Sequence, residues 1–214
     1  MNKIRPILNY LDELFPEPEC ALNFNSPFEL LIAVMLSAQC TDARVNIVSK
    51  DLFKLAPTPE KMLALGESKL KEIIYPCGFY NTKSKAIRET CKDLIERFNG
   101  VVPSSMEELT TLRGVGRKTA NVVIANAFGG QTIAVDTHVH RVSKRLGLTS
   151  ENSTPLDCEM ALLKLVPEEK RTKFHHQMIW FGRLRCKAIH PECETCNLKE
   201  VCVYYKNRKE KYVR

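Results

Sequence analysis

The chain reads as an all-α protein on three observations. Apolar residues recur at helical spacing from end to end, serine and glycine caps punctuate them, and strand candidates are nearly absent. The one β-branched cluster, Thr132 to Val135, is too short and too isolated to build a sheet.

Ile4, Ile7, Leu8, Leu11 and Leu14 mark an N-terminal helix, and Asp12 and Glu13 within it argue against a signal-peptide core. Ser26-Pro27-Phe28-Glu29 then joins an N-cap serine, a proline at the first helical position and a glutamate able to close a capping box. The run Leu30 to Leu36 that follows predicts a helix buried almost all round. Asp42 to Ala56 carries Val45, Val48, Leu52 and Leu55 on one face before Pro57 and Pro59 stop it. Two short pieces fall around Met62 to Leu65 and Lys69 to Ile74.

Pro76-Cys77-Gly78 breaks the chain, after which Ile87, Cys91, Leu94, Ile95 and Phe98 define a longer helix ending at Asn99-Gly100. Ser105-x-x-Glu108 opens a short helix, and the pattern resumes at Val115 and runs to Gly129-Gly130, the one good internal seam. Further helices are expected over Thr137 to Leu146 with Gly147 as C-cap, Pro155 to Val166 and Glu168 to Leu184, for roughly ten in all.

A chain of 214 residues with 44% hydrophobic content can bury a real core as one large domain or two small lobes. Thirty-two Lys and Arg against 25 Asp and Glu leave a net charge of +7, which favours a polyanionic partner, nucleic acid ahead of acidic membranes. The longest apolar run falls far short of the roughly 18 residues of a membrane span. The chain is therefore expected in the cytoplasm. Cys20, Cys40, Cys77, Cys91 and Cys158 show no pairing logic and are expected as small buried apolar residues.

Two segments carry chemistry. In Leu112-Arg113-Gly114-Val115-Gly116-Arg117-Lys118-Thr119 two glycines sit between helices, where main-chain amides and a positive helix end can meet an anion, with Arg113, Arg117 and Lys118 adding charge. Such a turn suits a DNA backbone, and it also suits an ordinary helix–helix connection. Cys186, Cys193, Cys196 and Cys202 form Cys-x6-Cys-x2-Cys-x5-Cys. A single close pair flanked by wider spacings favours a cubane iron–sulfur cluster, with zinc as the alternative.

With these residues in view, the chain resembles the endonuclease III family of DNA glycosylases. The resemblance rests on the Leu112 to Ala120 hairpin, the glycine-ended helix after it, the Val135-Asp136-Thr137-His138 element and the four C-terminal cysteines. Leu36-Ser37-Ala38-Gln39 and Gly78-Phe79-Tyr80-Asn81 extend it over nearly the whole chain. Arg113 stands where that family usually has proline.

The resemblance implies a two-lobed helix-hairpin-helix glycosylase: a six-helix lobe over 21–130 and a second lobe made of 1–20 with 131–214, carrying a C-terminal [4Fe–4S] module. It implies that the catalytic lysine and aspartate fall on Lys118 and Asp136, and that Cys186, Cys193, Cys196 and Cys202 hold the cluster. Gly114, Val115, Gly116 and Arg117 would grip the DNA backbone. Gln39 and Phe79 would fill the gap left by a flipped base, and His138 would line the lesion pocket. Arg183, Arg185 and Lys187 on the cluster module would meet phosphates.

The reaction so implied is bifunctional, base removal followed by β-elimination, on double-stranded DNA with damaged bases or abasic sites, by a monomer that binds no membrane. Oxidised pyrimidines are the family's usual lesions. A non-enzymatic iron–sulfur DNA clamp stays open at this point.

Overall fold

The computed structural model describes residues 3–212, with side chains described through Arg208. The chain divides into two compact units, one of Cys20–Gly130 and one of Met1–Glu19 with Gln131–Arg214. The described residues contain twelve α-helices, three short 3-10 turns and no strand.

In the unit of Cys20–Gly130 the central element is α2 (Pro27–Leu36), whose residues from Phe28 onward are all buried. Ser26 caps it by accepting from the Glu29 amide at 3.2 Å. The Glu29 carboxylate in turn accepts from the main chain and side chain of Asn25 at 2.7 and 3.0 Å. Around α2 lie α3 (Asp42–Leu55), capped by Thr41, and α4 (Pro59–Ala64), capped by Thr58, followed by α5 (Glu67–Ile74) and the long α6 (Tyr80–Phe98).

The hairpin pairs α7 (Met106–Leu109) with α8 (Arg117–Phe128), and α8 packs on α2. This unit holds seven α-helices, among them the single turn of α7 that the Ser105 capping box predicts. Helix α6 starts at Tyr80, well ahead of the apolar repeat that marks it in the sequence, because the residues its first turns bury, Lys83 and Ser84, are polar. Helix α8 starts at Arg117, since Val115 and Gly116 are still in the turn.

The other unit joins α1 (Ile4–Leu14) to the C-terminal helices. Ile4, Ile7, Leu8 and Leu11 are buried, and α1 lies on α11 (Arg171–Leu184). Asp12 ties the two together, meeting Lys173 at 2.7 Å and accepting from the Gln177 amide at 3.0 Å. Helix α9 (Thr137–Leu146) ends at Gly147 in the left-handed region, and α10 (Pro155–Leu165) opens on a capping box between Thr154 and Asp157.

Glu168–Lys170 forms a 3-10 turn ahead of α11, so the expected helix from Glu168 begins at Arg171 instead. Helix α12 (Val203–Tyr212), not expected from the sequence, follows the cysteine segment and packs on α9. Cys77, Cys91 and Cys158 are buried as expected, and burial pushes the Cys91 thiol up to about 12. Cys20 and Cys40 are only half-buried, because both lie in loops flanking α2.

Candidate functional site

The hairpin turn is built by glycine. Gly114 has φ +74°, a left-handed conformation that costs other residues, and a Cβ there would lie 3.0 Å from Ala86 Cβ and 3.3 Å from Met35 Cε. Val115 follows with its amide donating to the Leu112 carbonyl at 3.1 Å. Val115 is only 4% exposed and its amide is already spent inside the turn, so its part is to hold the turn's shape under the flanking glycines. Gly116 is the N-cap of α8 and supplies no capping side chain, while a Cβ on it would meet nothing within 4 Å. The positive end of α8 thus opens toward a surface that a phosphate can approach closely.

Arg113 is anchored from two sides. Its carbonyl accepts from the Thr90 hydroxyl on α6 at 2.6 Å, and its Nε lies 3.3 Å from Glu89 Oε2, an ion pair short of hydrogen-bond geometry. Arg117 and Lys118 are exposed on the first turn of α8.

Gln39 and Phe79 occupy the tips of two loops of the same unit. Both are left-handed, with φ +54° and +49°, and both are exposed, Phe79 to 63%. A large aromatic held outward in that conformation is a surface feature and not a core residue. Between the loops, Lys83 is buried to 7% exposure and donates to the Leu36 carbonyl at 2.8 Å and the Cys77 carbonyl at 2.9 Å. Burial lowers the pKa of Lys83, opposed by the neighbouring Cys77 and Cys40.

In the other unit, Asp136 is the half-buried N-cap of α9, with Oδ1 accepting from the Val139 amide at 2.8 Å. His138 on the first turn of that helix is half-buried and folds toward α11. Its Nδ1 lies 3.3 Å from Arg141 Nη2, and its Cβ would be 3.0 Å from a Cβ on Gly182. Burial lowers its pKa, Asp136 pulls the other way, and Arg141 and Arg183 add to the lowering, so the ring is neutral at pH 7.

Cys186, Cys193, Cys196 and Cys202 all line one cavity, with apolar wall from Leu146, Phe181 and Tyr205. Among the described residues no three His, Cys, Asp or Glu converge as ligands of a single ion do. Four thiols around a shared space are donors of the kind a thiolate-bound metal centre takes. Burial pushes the Cys196 and Cys202 thiols up, an effect that a cationic centre in the cavity would oppose.

Two arginines of α9 that the sequence reading did not single out brace this segment. Arg145 donates to the carbonyls of Cys186, Lys187 and Ala188 at 3.3, 2.6 and 3.1 Å and to Cys186 Sγ at 3.4 Å, with its guanidinium 4.5 Å from the Tyr204 ring centroid. Arg141 donates to the carbonyls of Gly182 and Cys186 at 2.8 and 3.1 Å. Their spacing of four residues, one face of a helix, is the only signal the sequence carries of this role.

Arg185 and Lys187, expected at phosphates, both bind Glu192 at 2.8 Å. Arg183 is half-buried, 5.6 Å from the Trp180 ring centroid. No helix among the described residues is long and apolar enough to cross a membrane.

Residues 32–168 match the model of the HhH-GPD superfamily base excision DNA repair proteins. The endonuclease III of Bacillus subtilis is 46% identical over 202 residues, 94% of this chain and 92% of that protein. The endonuclease III of Haemophilus influenzae is 48% identical over 206 residues, 95% of this chain and 97% of that one. A solved structure of a trapped endonuclease III–DNA covalent intermediate superposes with a TM-score of 0.93 at 47% identity, covering 97% of each chain.

Proposed function

The chain belongs to the HhH-GPD superfamily of base excision DNA repair proteins and, within it, to the endonuclease III family, and on that premise we propose how its residues divide the work. It is a bifunctional DNA glycosylase and AP lyase that removes oxidised pyrimidines from duplex DNA and nicks the strand. The observation that carries the assignment of residues is the pairing of an open glycine turn with an exposed lysine on the next helical turn, Gly116 with Lys118. A related endonuclease III has been captured joined covalently to DNA, and Lys118 is the nucleophile proposed for the same bond here.

Main-chain amides at Gly114 and Gly116, in a turn that Val115 holds, bind and orient the phosphates together with Arg117. Gln39 and Phe79, held outward on their loops, enter the stack where the damaged base leaves it. Lys118, having lost its proton, attacks C1′. The carbon–nitrogen bond to the enzyme forms, the glycosidic bond breaks, and the base departs with a proton. The sugar ring then opens, the C1′–O4′ bond breaking as C1′=N forms and O4′ takes up a proton, and loss of a proton from C2′ of this Schiff base expels the 3′ phosphate.

Asp136 supplies a fixed carboxylate that stabilises the positive charge developing on the sugar and assists the proton movements of the reaction. Cys186, Cys193, Cys196 and Cys202 hold a [4Fe–4S] cluster, which ties the C-terminal module together when bound. Arg183, Arg185 and Lys187 carry that module onto the DNA backbone, and His138, neutral, lines the lesion pocket. The protein acts as a monomer in the cytoplasm, a reducing compartment that suits its unpaired thiols.

Borohydride trapping on abasic-site duplex tests the assignment. The wild-type chain is expected to form a covalent adduct and Lys118→Gln to lose it while still binding the duplex. An undiminished adduct in Lys118→Gln would move the nucleophile to another residue.

A further inference from the structure

Two cysteines that the repair chemistry does not use stand together beneath the loops that carry Gln39 and Phe79. Cys40 follows Gln39 and is half-buried; Cys77 precedes Gly78-Phe79 and is fully buried. The two side chains are close enough to act on each other and on Lys83. Lys83 joins the same two strands of loop, with one carbonyl from each, Leu36 and Cys77, on its ammonium. Burial and the neighbouring Cys40 push the Cys77 thiol up to about 11, which Lys83 and Arg44 only partly offset, so Cys77 enters as the protonated partner.

We propose that Cys40 and Cys77 are a site of reversible disulfide formation that staples the Gln39 loop to the Phe79 loop. Neighbouring thiols on two loop segments need only a local movement to reach the S–S bond of about 2.05 Å. In a reducing compartment such a bond is transient and serves redox sensing.

The oxidant is a hydroperoxide. Cys40, more accessible than Cys77, attacks as thiolate; an S–O bond forms, the O–O bond breaks, and one oxygen leaves as water once protonated. Cys77 then attacks the sulfur of the sulfenic acid. The S–S bond forms, the S–O bond breaks, and the hydroxide released takes up the Cys77 proton as a second water. Two thiols lose two electrons and one peroxide gains them. The staple holds both loops in their unbound arrangement and so opposes entry of Gln39 and Phe79 into a duplex. The bond itself is independent of function; its effect on DNA rests on the role proposed for those two residues.

The experiment treats the reduced, metal-loaded full-length protein with hydrogen peroxide or diamide, follows the visible absorbance of the metal centre to separate its loss, and maps peptides without reductant. A peptide containing Cys40 linked to one containing Cys77, reversed by dithiothreitol and absent from Cys40→Ser and Cys77→Ala, is the result expected. Both cysteines recovered as free, alkylatable thiols, or Cys40 linked elsewhere, would overturn it. Binding to a duplex with a stable abasic analogue is read in parallel. Oxidation is expected to weaken it several-fold in the wild type and leave Cys40→Ser unchanged. A linked protein that binds as tightly as the reduced one overturns the control but keeps the modification. A reduced protein that forms no borohydride adduct refutes the proposed chemistry, and the peptide map still decides the disulfide.

Discussion

Thr90 on α6 donates its hydroxyl to the main-chain carbonyl of Arg113 across 2.6 Å, and so fixes the hairpin at the residue just before its first glycine. Proline at that position would restrict the backbone by its ring. Here a buried threonine restrains it through a hydrogen bond to a neighbouring helix, and the arginine that replaces the ring leans on Glu89.

Thr90→Val should leave the Arg113 carbonyl without that donor and cost about 1–2 kcal/mol of stability. Arg113→Ala removes only an exposed ion pair and should cost less than about 1 kcal/mol. Urea denaturation of the two variants checks the order. Equal, negligible effects would mean that the threonine does not restrain the turn.

Gly114 and Gly116 should separate fold from binding. Alanine at Gly114 meets a positive φ, roughly 1–2 kcal/mol, together with tight contacts to Ala86 and Met35, so Gly114→Ala should lower both stability and affinity. Alanine at Gly116 meets an extended backbone and open space, and Gly116→Ala should keep its melting temperature while weakening duplex binding, since the methyl group stands where a phosphate must approach. A Gly116→Ala protein that binds like the wild type would place the phosphate elsewhere.

Glu192 occupies both Arg185 and Lys187, and the Lys187 ammonium, with Arg185 beside it, holds the Glu192 carboxyl below the usual carboxylate range. These pairs therefore persist at neutral pH and dissolve only as pH falls through that lowered value. Glu192→Gln should free two cations for phosphate, raising affinity and steepening its salt dependence. Arg183→Ala with Lys187→Ala should flatten it, by about 0.9 in slope for each phosphate no longer neutralised. A slope indifferent to all of these changes would remove the module from the interface.

Arg145 should govern retention of the metal centre. It is the donor to three successive carbonyls from Cys186 onward and to the Cys186 sulfur. Arg145→Met keeps the apolar stem but lacks the fork, and Lys cannot reproduce it. Either variant should lose visible absorbance faster under a chelator than the wild type, and chelation should melt the cysteine segment with α12 ahead of the rest. Unchanged decay would leave Arg145 a packing residue.

What was legible in the chain is what is encoded locally. The Ser26 cap lies beside its partner Glu29, Gly147 directly follows its helix, and Leu30 to Leu36 announces burial by composition alone. The glycine turn and the cysteine run are contiguous and can be read as motifs. What stayed hidden depends on contacts across the fold. Thr90 and Arg113, Arg145 and Cys186, and Lys83 with Leu36 are far apart in the chain, and nothing in their own neighbourhoods announces them. Tyr80 opens α6 behind a left-handed Phe79 with no capping side chain, and α12 is too charged to display a helical repeat.

Asp136 combines a cap with a proposed catalytic carboxylate, and substitution can pull the two apart. Asparagine is as good an N-cap as aspartate, because its side-chain oxygen accepts the same amide that Asp136 takes from Val139. It carries no negative charge. Asp136→Asn should therefore keep the stability of α9 and lose most of the base-release rate. Asp136→Ala loses the cap as well, about 1 kcal/mol, and should match Asp136→Asn in rate while melting lower. If the carboxylate acted only as a cap, Asp136→Asn would retain full activity and Asp136→Ala would lose activity only in proportion to the protein unfolded. Base release under single-turnover conditions, set beside thermal melts of the same preparations, distinguishes the two cases.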